Sequence, residues 1–245
     1  RTQLLRAQEV AARAAERAAR ERERADHLGA RLVTRLDDSY PRALLDLPLA
    51  PPVLAVSGEL PLAPTVAIVG SRRASPYGRE VAETFARALA AHGVVIVSGF
   101  ARGVDAAAHR GALAANGGRT LAVLGCGLGV DYPSGHAALG VDIARQGALI
   151  SEFPCLAGPR TWHFPVRNRV IAALAGAVLV VQAATRSGSL VTARHALDLG
   201  REVFAVPGEI FDERSLGPHA LLRDGAALAL HPRDLLDIVL PNEGT

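Results

Sequence analysis

Gly70, Ser71, Arg72 and Arg73 directly follow the apolar run Val66–Val69. Those residue types in that order are what a phosphate-binding turn needs. Glycine frees the backbone to bend, serine supplies a hydroxyl, and a guanidinium is a planar fork of donors matched to anionic oxygens. Comparable sets recur along the chain. Ser98, Gly99 and Arg102 come after Val94–Val97; Phe164, Arg167, Asn168 and Arg169 come after Ala148–Ser151 and its loop; Arg186, Ser187, Gly188 and Ser189 come after Val178–Val181. Taken singly, each set has a plain structural reading: a tight turn at Gly70–Arg72, an Asn helix cap at Asn168, a serine cap at Ser187. Their recurrence at the same kind of junction is what points to binding.

Each set stands between a short apolar run and a stretch with helical spacing, such as Val81, Phe85, Ala88 and Leu89 after the first. Further strand runs at Thr120–Leu124 and Val203–Val206 complete an alternation of strands and helices joined by short loops. This predicts an α/β fold, a doubly wound, mostly parallel, extended Rossmann-like sheet covered on both faces. Ligands of such sheets bind beyond the carboxyl ends of the strands, where the next helices present their amino ends. The polar sets should therefore share one rim and hold more than one phosphate.

Ahead of this pattern, residues 2–28 are a helix former of mixed Glu and Arg, residues 29–37 a short strand or helix cap, and residues 39–58 a Pro-punctuated stretch with a strand at Val53–Val56. Residues 1–60 are read as a small N-terminal helical, Pro-rich appendage, 61–240 as the Rossmann-like domain and 241–245 as a tail.

The net charge of +3 sits in the first 25 residues, where seven Arg face four Glu; the other 220 residues balance 20 Arg against 20 acidic groups. Global basicity therefore gives no argument for nucleic acid; only a local cluster of guanidiniums can. There is no lysine, so each fixed cation is an arginine fork. No apolar run reaches the roughly 18 residues that span a bilayer. The Arg/Ala-rich start carries Glu9, Glu16, Glu21 and Glu23, unlike a secretory or transit leader. A cytoplasmic protein without membrane attachment is expected. With no Met in the chain, Arg1 is not expected to be the natural start.

Other patterns lead nowhere chemical. Cys126 and Cys155 lack metal spacing and read as packed thiols. Gly125-Cys126-Gly127-Leu128-Gly129 begins like a dinucleotide fingerprint but runs on into Val130-Asp131-Tyr132-Pro133, so it reads as a loop. Asp105 and His109, four apart, read as a structural hydrogen-bonding pair, because nothing completes a metal set around them. No nucleophile stands with a base in any known motif, and neither a catalytic residue nor a cofactor is expected.

The segments YPRALLDLPLAPPVLAVSGEL, VAIVGSRRASPYG, VIVSGFARGVDAAAH, FPVRNRVIAAL, SGSLVTARHAL, GREVFAVPGEI and GPHALLRDGA follow one another over residues 39–230. In that order they resemble the DNA-processing protein A (DprA/Smf) family. The resemblance implies a non-catalytic, homodimeric protein that binds and protects incoming single-stranded DNA in natural transformation and helps load the RecA recombinase on it. It assigns Gly70, Ser71 and Arg72 to a phosphate-contacting turn, and Ser98, Gly99, Ala101, Gly103, Asp105, Arg167, Asn168 and Arg169 to the site, with Phe164 placed to stack a base. Gln182 stands where the family has Glu, and His219 where it has Asn. The small N-terminal domain and the winged helix of some members are not evident, and residues 1–28 are read as a remnant of the former. The alternative is a nucleotide-binding hydrolase of the phosphoribohydrolase type, whose PGGxGTxxE segment is missing from SGSLVTA and PGEI.

Overall fold

Runs of β-branched and small apolar residues form the central strands, such as Val95–Ser98, Thr120–Val123 and Ala177–Val180, which are buried on both faces, while the outer strands carry polar and exposed positions. In the computed structural model, which describes residues 2–240, they assemble one sheet. The elements in chain order are α1 (Thr2–His27), β1 (Arg31–Thr34), β2 (Val53–Gly58), β3 (Thr65–Val69), α2 (Pro76–Ala91), β4 (Val95–Ser98), α3 (Val104–Ala114), β5 (Thr120–Val123), α4 (Ala137–Gln146), β6 (Ala148–Ser151), α5 (His163–Leu174), β7 (Ala177–Val180), α6 (Gly188–Asp198), β8 (Glu202–Ala205), α7 (Leu216–Arg223), β9 (Ala227–Leu228) and α8 (Pro232–Val239), with 3-10 turns at Arg42–Asp46 and Glu213–Ser215.

The strand order is β1-β2-β6-β5-β4-β3-β7-β8-β9. Pairing is parallel from β6 through β9 and antiparallel at β1–β2 and β2–β6. This is the expected α/β, mostly parallel, Rossmann-like arrangement. Residues 31–58, which the sequence set apart as an appendage, add β1 and β2 to the antiparallel edge of the same sheet. Residues 241–245, read as a tail, lie outside the described residues.

Side chains alternate between the faces of each strand. Val66, Ile68 and Ile96 pack with Phe85, Leu89 and Ala108 of α2 and α3; Ala67, Val69 and Val97 pack with Val170 and Ile171 of α5. The chain winds from β3 through β4 and β5 to one side, then returns to place β7 against the other side of β3. The β3–β7 pair is therefore the topological switch point, where a crevice opens above the sheet. Most of α1 is exposed; it docks through buried Ala25 and through the Glu21 carboxylate, which accepts the Cys155 N–H.

Gly111 sets how closely α2 and α3 approach. A Cβ at that position would collide with the main chain of Glu83 on α2. Alanine gains about 1 kcal/mol of helix propensity over glycine, whereas overpacking costs about 1–3 kcal/mol and here strikes backbone that cannot rotate away. Gly111→Ala should lower the melting temperature despite the better helix former, and an unchanged or raised melting temperature would contradict this packing.

Candidate functional site

Three turns interlock above the switch point. After β3, a Cβ on Gly70 would lie 2.7 Å from Val104 Cγ2 and 2.9 Å from the Gln182 carbonyl oxygen, so the turns close only around glycine. The Ser71 N–H donates to that same Gln182 oxygen at 2.6 Å, tying the turn after β3 to the turn after β7. The Ser71 carbonyl accepts from Val104 N–H at 3.2 Å. Gly103 adopts φ +80°, and a Cβ there would collide with the Ser71 carbonyl. The Ser71 peptide groups are thus spent on the turn, while the Arg72 and Arg73 side chains project into solvent. Gln182 completes the lock: Oε1 accepts Ser75 N–H at 2.9 Å and Nε2 donates to Ser75 Oγ at 2.8 Å, at the N-cap of α2. An amide suits this position because it both donates and accepts.

Arg167, on α5, is 4% exposed. Its guanidinium donates to the Gly99 carbonyl at 2.6 Å, to the Val123 carbonyl and to Asn168 Oδ1 at 3.2 Å. Burial pulls its pKa down to about 10, opposed by the neighbouring Asp105 carboxylate, so it stays charged at neutral pH. Burial likewise raises the Asp105 carboxyl, against Arg167. Asp105 Oδ2 accepts the Ala101 N–H at 3.2 Å. Asn168 Nδ2 reaches across to the Gly188 carbonyl at 2.9 Å and sets α5 against the start of α6. There the Ser187 hydroxyl caps α6 by accepting Ser189 N–H at 3.4 Å, and the two hydroxyls lie 2.7 Å apart.

Between these elements lies a cavity of about 600 Å³. Of the residues singled out by sequence, Gly70, Arg72, Ala101, Asp105, Phe164, Arg167, Asn168, Ser187, Gly188 and Ser189 line it. A second chamber of about 490 Å³ shares Arg72, Ala101, Tyr132 and Phe164 with the first and is lined also by Arg73, Gly99 and Arg102. The Arg72 guanidinium carbon sits 4.6 Å from the Phe164 ring centroid, a cation–π contact, and Tyr132 lies 5.6 Å from that ring.

The remaining sites fall elsewhere. Ser98 is buried beneath the rim, its hydroxyl donating to the Ile68 carbonyl at 2.6 Å. Arg169 pairs with Glu152, both largely buried. Two residues along a helix turn a side chain through about 200°, so Arg167 and Arg169 cannot face the same cleft. Arg186 is exposed and lines neither cavity. Asp105 and His109 do not bond each other as expected: the His109 Nδ1 pairs with Thr120 Oγ1 at 2.7 Å. Arg160 and Tyr132, not singled out from sequence, line the first cavity; they sit in loops without a strand to mark their direction.

Fold and site together define a Rossmann-type domain with an arginine-bearing, aromatic cleft at the switch point of its sheet. The chain belongs to the DNA recombination-mediator protein A family, whose model matches residues 31–239. It is 49% identical over 201 residues to Protein Smf of Escherichia coli, a match that covers 81% of this chain and 54% of that protein. The chain thus spans about half the length of that relative. Among solved structures, DNA processing protein A of Streptococcus pneumoniae superposes with a TM-score of 0.80 at 43% identity, covering 84% of this chain and 73% of that one. The Helicobacter pylori protein, described for its single-stranded DNA binding mode, superposes with a TM-score of 0.76 at 32% identity, covering 85% and 95%.

His109 gives a stability test of the layer beneath the rim. Burial, first, and the neighbouring His136, Arg167 and Arg110 lower its pKa from 6.5 to about 3. The unfolded chain takes up a proton below 6.5 that the folded chain refuses until about 3, so stability is lost as pH falls through that window, by up to about 1.4 kcal/mol per pH unit. Thermal unfolding across it should show a shallower loss for His109→Gln than for the parent; parallel curves would contradict the assignment.

Proposed function

We propose that this domain binds single-stranded DNA and acts as a DNA-processing protein of natural transformation, protecting incoming strands in the cytoplasm and helping to load RecA. The observation that carries the reading is the convergence of the Arg72 guanidinium, the Phe164 ring and the amino end of α6 on one cavity at the switch point. A phosphate suits the start of α6, which lines the cavity with Arg72: the helix dipole favours an anion there, the Gly188 N–H has no partner among the described residues, and the Ser187 and Ser189 hydroxyls lie beside it. Arg160, on the lining, offers a second fork. A base suits the aromatic wall, by stacking on Phe164 or on the guanidinium plane above it. A base can enter such a cleft only when it is unstacked, which favours a single strand over a duplex.

Roles divide by burial. Arg72 and Arg160 are exposed and can follow a strand; buried Arg167 holds the rim in shape. Apart from residues 1–25 the chain is neutral by formal charge, so one such cleft gives modest affinity, and pairing two protomers as a homodimer would raise it through linked sites. Binding without catalysis is the reading for the described residues: the Ser187 and Ser189 hydroxyls face each other, and the His163 Nδ1 is engaged by the Gly125 carbonyl at 3.1 Å. A family relative of 32% identity described for its single-stranded DNA binding supports the ligand class.

Arg72→Ala should weaken binding to a labelled oligothymidylate and reduce the slope of log affinity against log salt by about 0.7 for each phosphate contact removed. Because Arg72 is exposed, its melting temperature should stay that of the parent. Anisotropy titrations over a salt series measure both; an unchanged affinity and slope would rule out this cleft as the phosphate site.

A further inference from the structure

The second chamber differs in chemistry from the first. Its floor is apolar, with buried Phe100 and Leu124 and with Gly125, where a Cβ would sit 2.7 Å from Phe164 Cδ1. Its walls are the rings of Tyr132, Pro133 and Phe164. At its rim, Arg102 Nη2 donates to the Ser134 carbonyl at 3.3 Å, which holds the 131–134 loop beside the chamber, and Arg73 stands on the same rim. Asp131 also lines it, exposed, and no ion pair or side-chain hydrogen bond among the described residues takes up its carboxylate.

The guanidiniums of Arg73 and Arg102 stand at the rim, while the chamber itself offers an apolar floor and aromatic walls on which a phosphate would lose its hydration without gaining partners. A planar ring with a polar edge fits. The chamber adjoins the first cavity across Arg72 and Phe164, so a strand whose phosphates lie beside α6 and Arg72 brings its neighbouring base to this opening. We propose that the second chamber is a nucleobase pocket in which Asp131 favours guanine over thymine, an inference that rests on the single-stranded DNA reading above.

The preference follows from the edges of the bases. A carboxylate only accepts hydrogen bonds, through two adjacent oxygens. Guanine presents N1–H and the 2-amino group side by side and satisfies both oxygens at once. Cytosine and adenine offer one amino group beside an acceptor nitrogen. Thymine offers a single N3–H between two carbonyl oxygens that repel the carboxylate. Such edges are read only on unpaired bases, as in this cleft. Arg73 and Arg102 offset the Asp131 charge for the incoming strand, so the acid selects among bases without repelling the backbone as a whole.

The test compares three short oligomers of one length with the full chain: oligothymidylate, the same length alternating thymidine with guanosine, and the same alternating thymidine with inosine, which lacks the 2-amino group. Binding of the guanosine oligomer should be roughly three- to tenfold tighter than that of oligothymidylate, with inosine in between. Asp131→Asn should remove that ranking while binding oligothymidylate at least as tightly as the parent, since it loses a negative charge near the strand. A loss of charge alone would shift all three oligomers together, so the ratio is the informative reading. Equal binding of the three by the parent, or a ranking that persists in Asp131→Asn, overturns the base pocket and leaves the DNA reading standing. No binding of any oligomer by the parent removes both.

Discussion

The site depends on one buried cation. Taking a guanidinium out of water costs several kcal/mol, and Arg167 recovers this through the Gly99 and Val123 carbonyls at the carboxyl ends of β4 and β5 and through the charge of Asp105. Arginine suits the place because a planar fork can satisfy several acceptors in fixed directions, whereas an ammonium cannot. Gly99 is required by the same contact: a Cβ there would lie 2.6 Å from Asp105 Oδ2 and 2.8 Å from Arg167 Nη2. One residue thus fastens two strand ends, the start of α3 and the first turns of α5.

That fastening lets the exposed residues act. Ser71 spends its peptide groups on Gln182 and Val104, and Asn168 spends its amide on Gly188, so the turns after β3, β4 and β7 hold fixed positions relative to α6. Arg72 and Phe164 then meet on a rigid frame, which reduces the conformational entropy that a strand must overcome on binding. Arg72 and Arg160 sit on loops, Phe164 sits in the first turn of α5, and the scaffold groups sit below them, a division common where a stiff sheet presents its binding groups on turns and helix starts.

Much of this was legible in the sequence, for physical reasons. Short apolar runs such as Val66–Val69 and Ala148–Ile150 are too brief for helices and read as buried strands, and their alternation with helical spacing gives the parallel sheet and, through it, the rim. Direction was harder. The segment Arg167-Asn168-Arg169 reads as a helix start, but α5 begins at His163, so the three side chains fan around a helix already formed, and Arg169 turns away to Glu152. A guanidinium that binds a ligand and one that binds carbonyls look alike in sequence; only burial separates Arg72 from Arg167. The pairing of β2 with β6 joins segments far apart in the chain, and no local pattern announces it. Tyr132, Asp131 and Arg160 lie in irregular loops, where neither period nor spacing says which way a side chain points.

The most direct measurement is a structure of the protein bound to a short oligothymidylate. This account predicts a phosphate at the amino end of α6, within hydrogen-bond reach of the Ser187–Ser189 segment and of Arg72, with a base beside Phe164 and Arg167 still bonded to the Gly99 carbonyl. A strand lying along the arginines of α1, with the cleft at the switch point left empty, would contradict it.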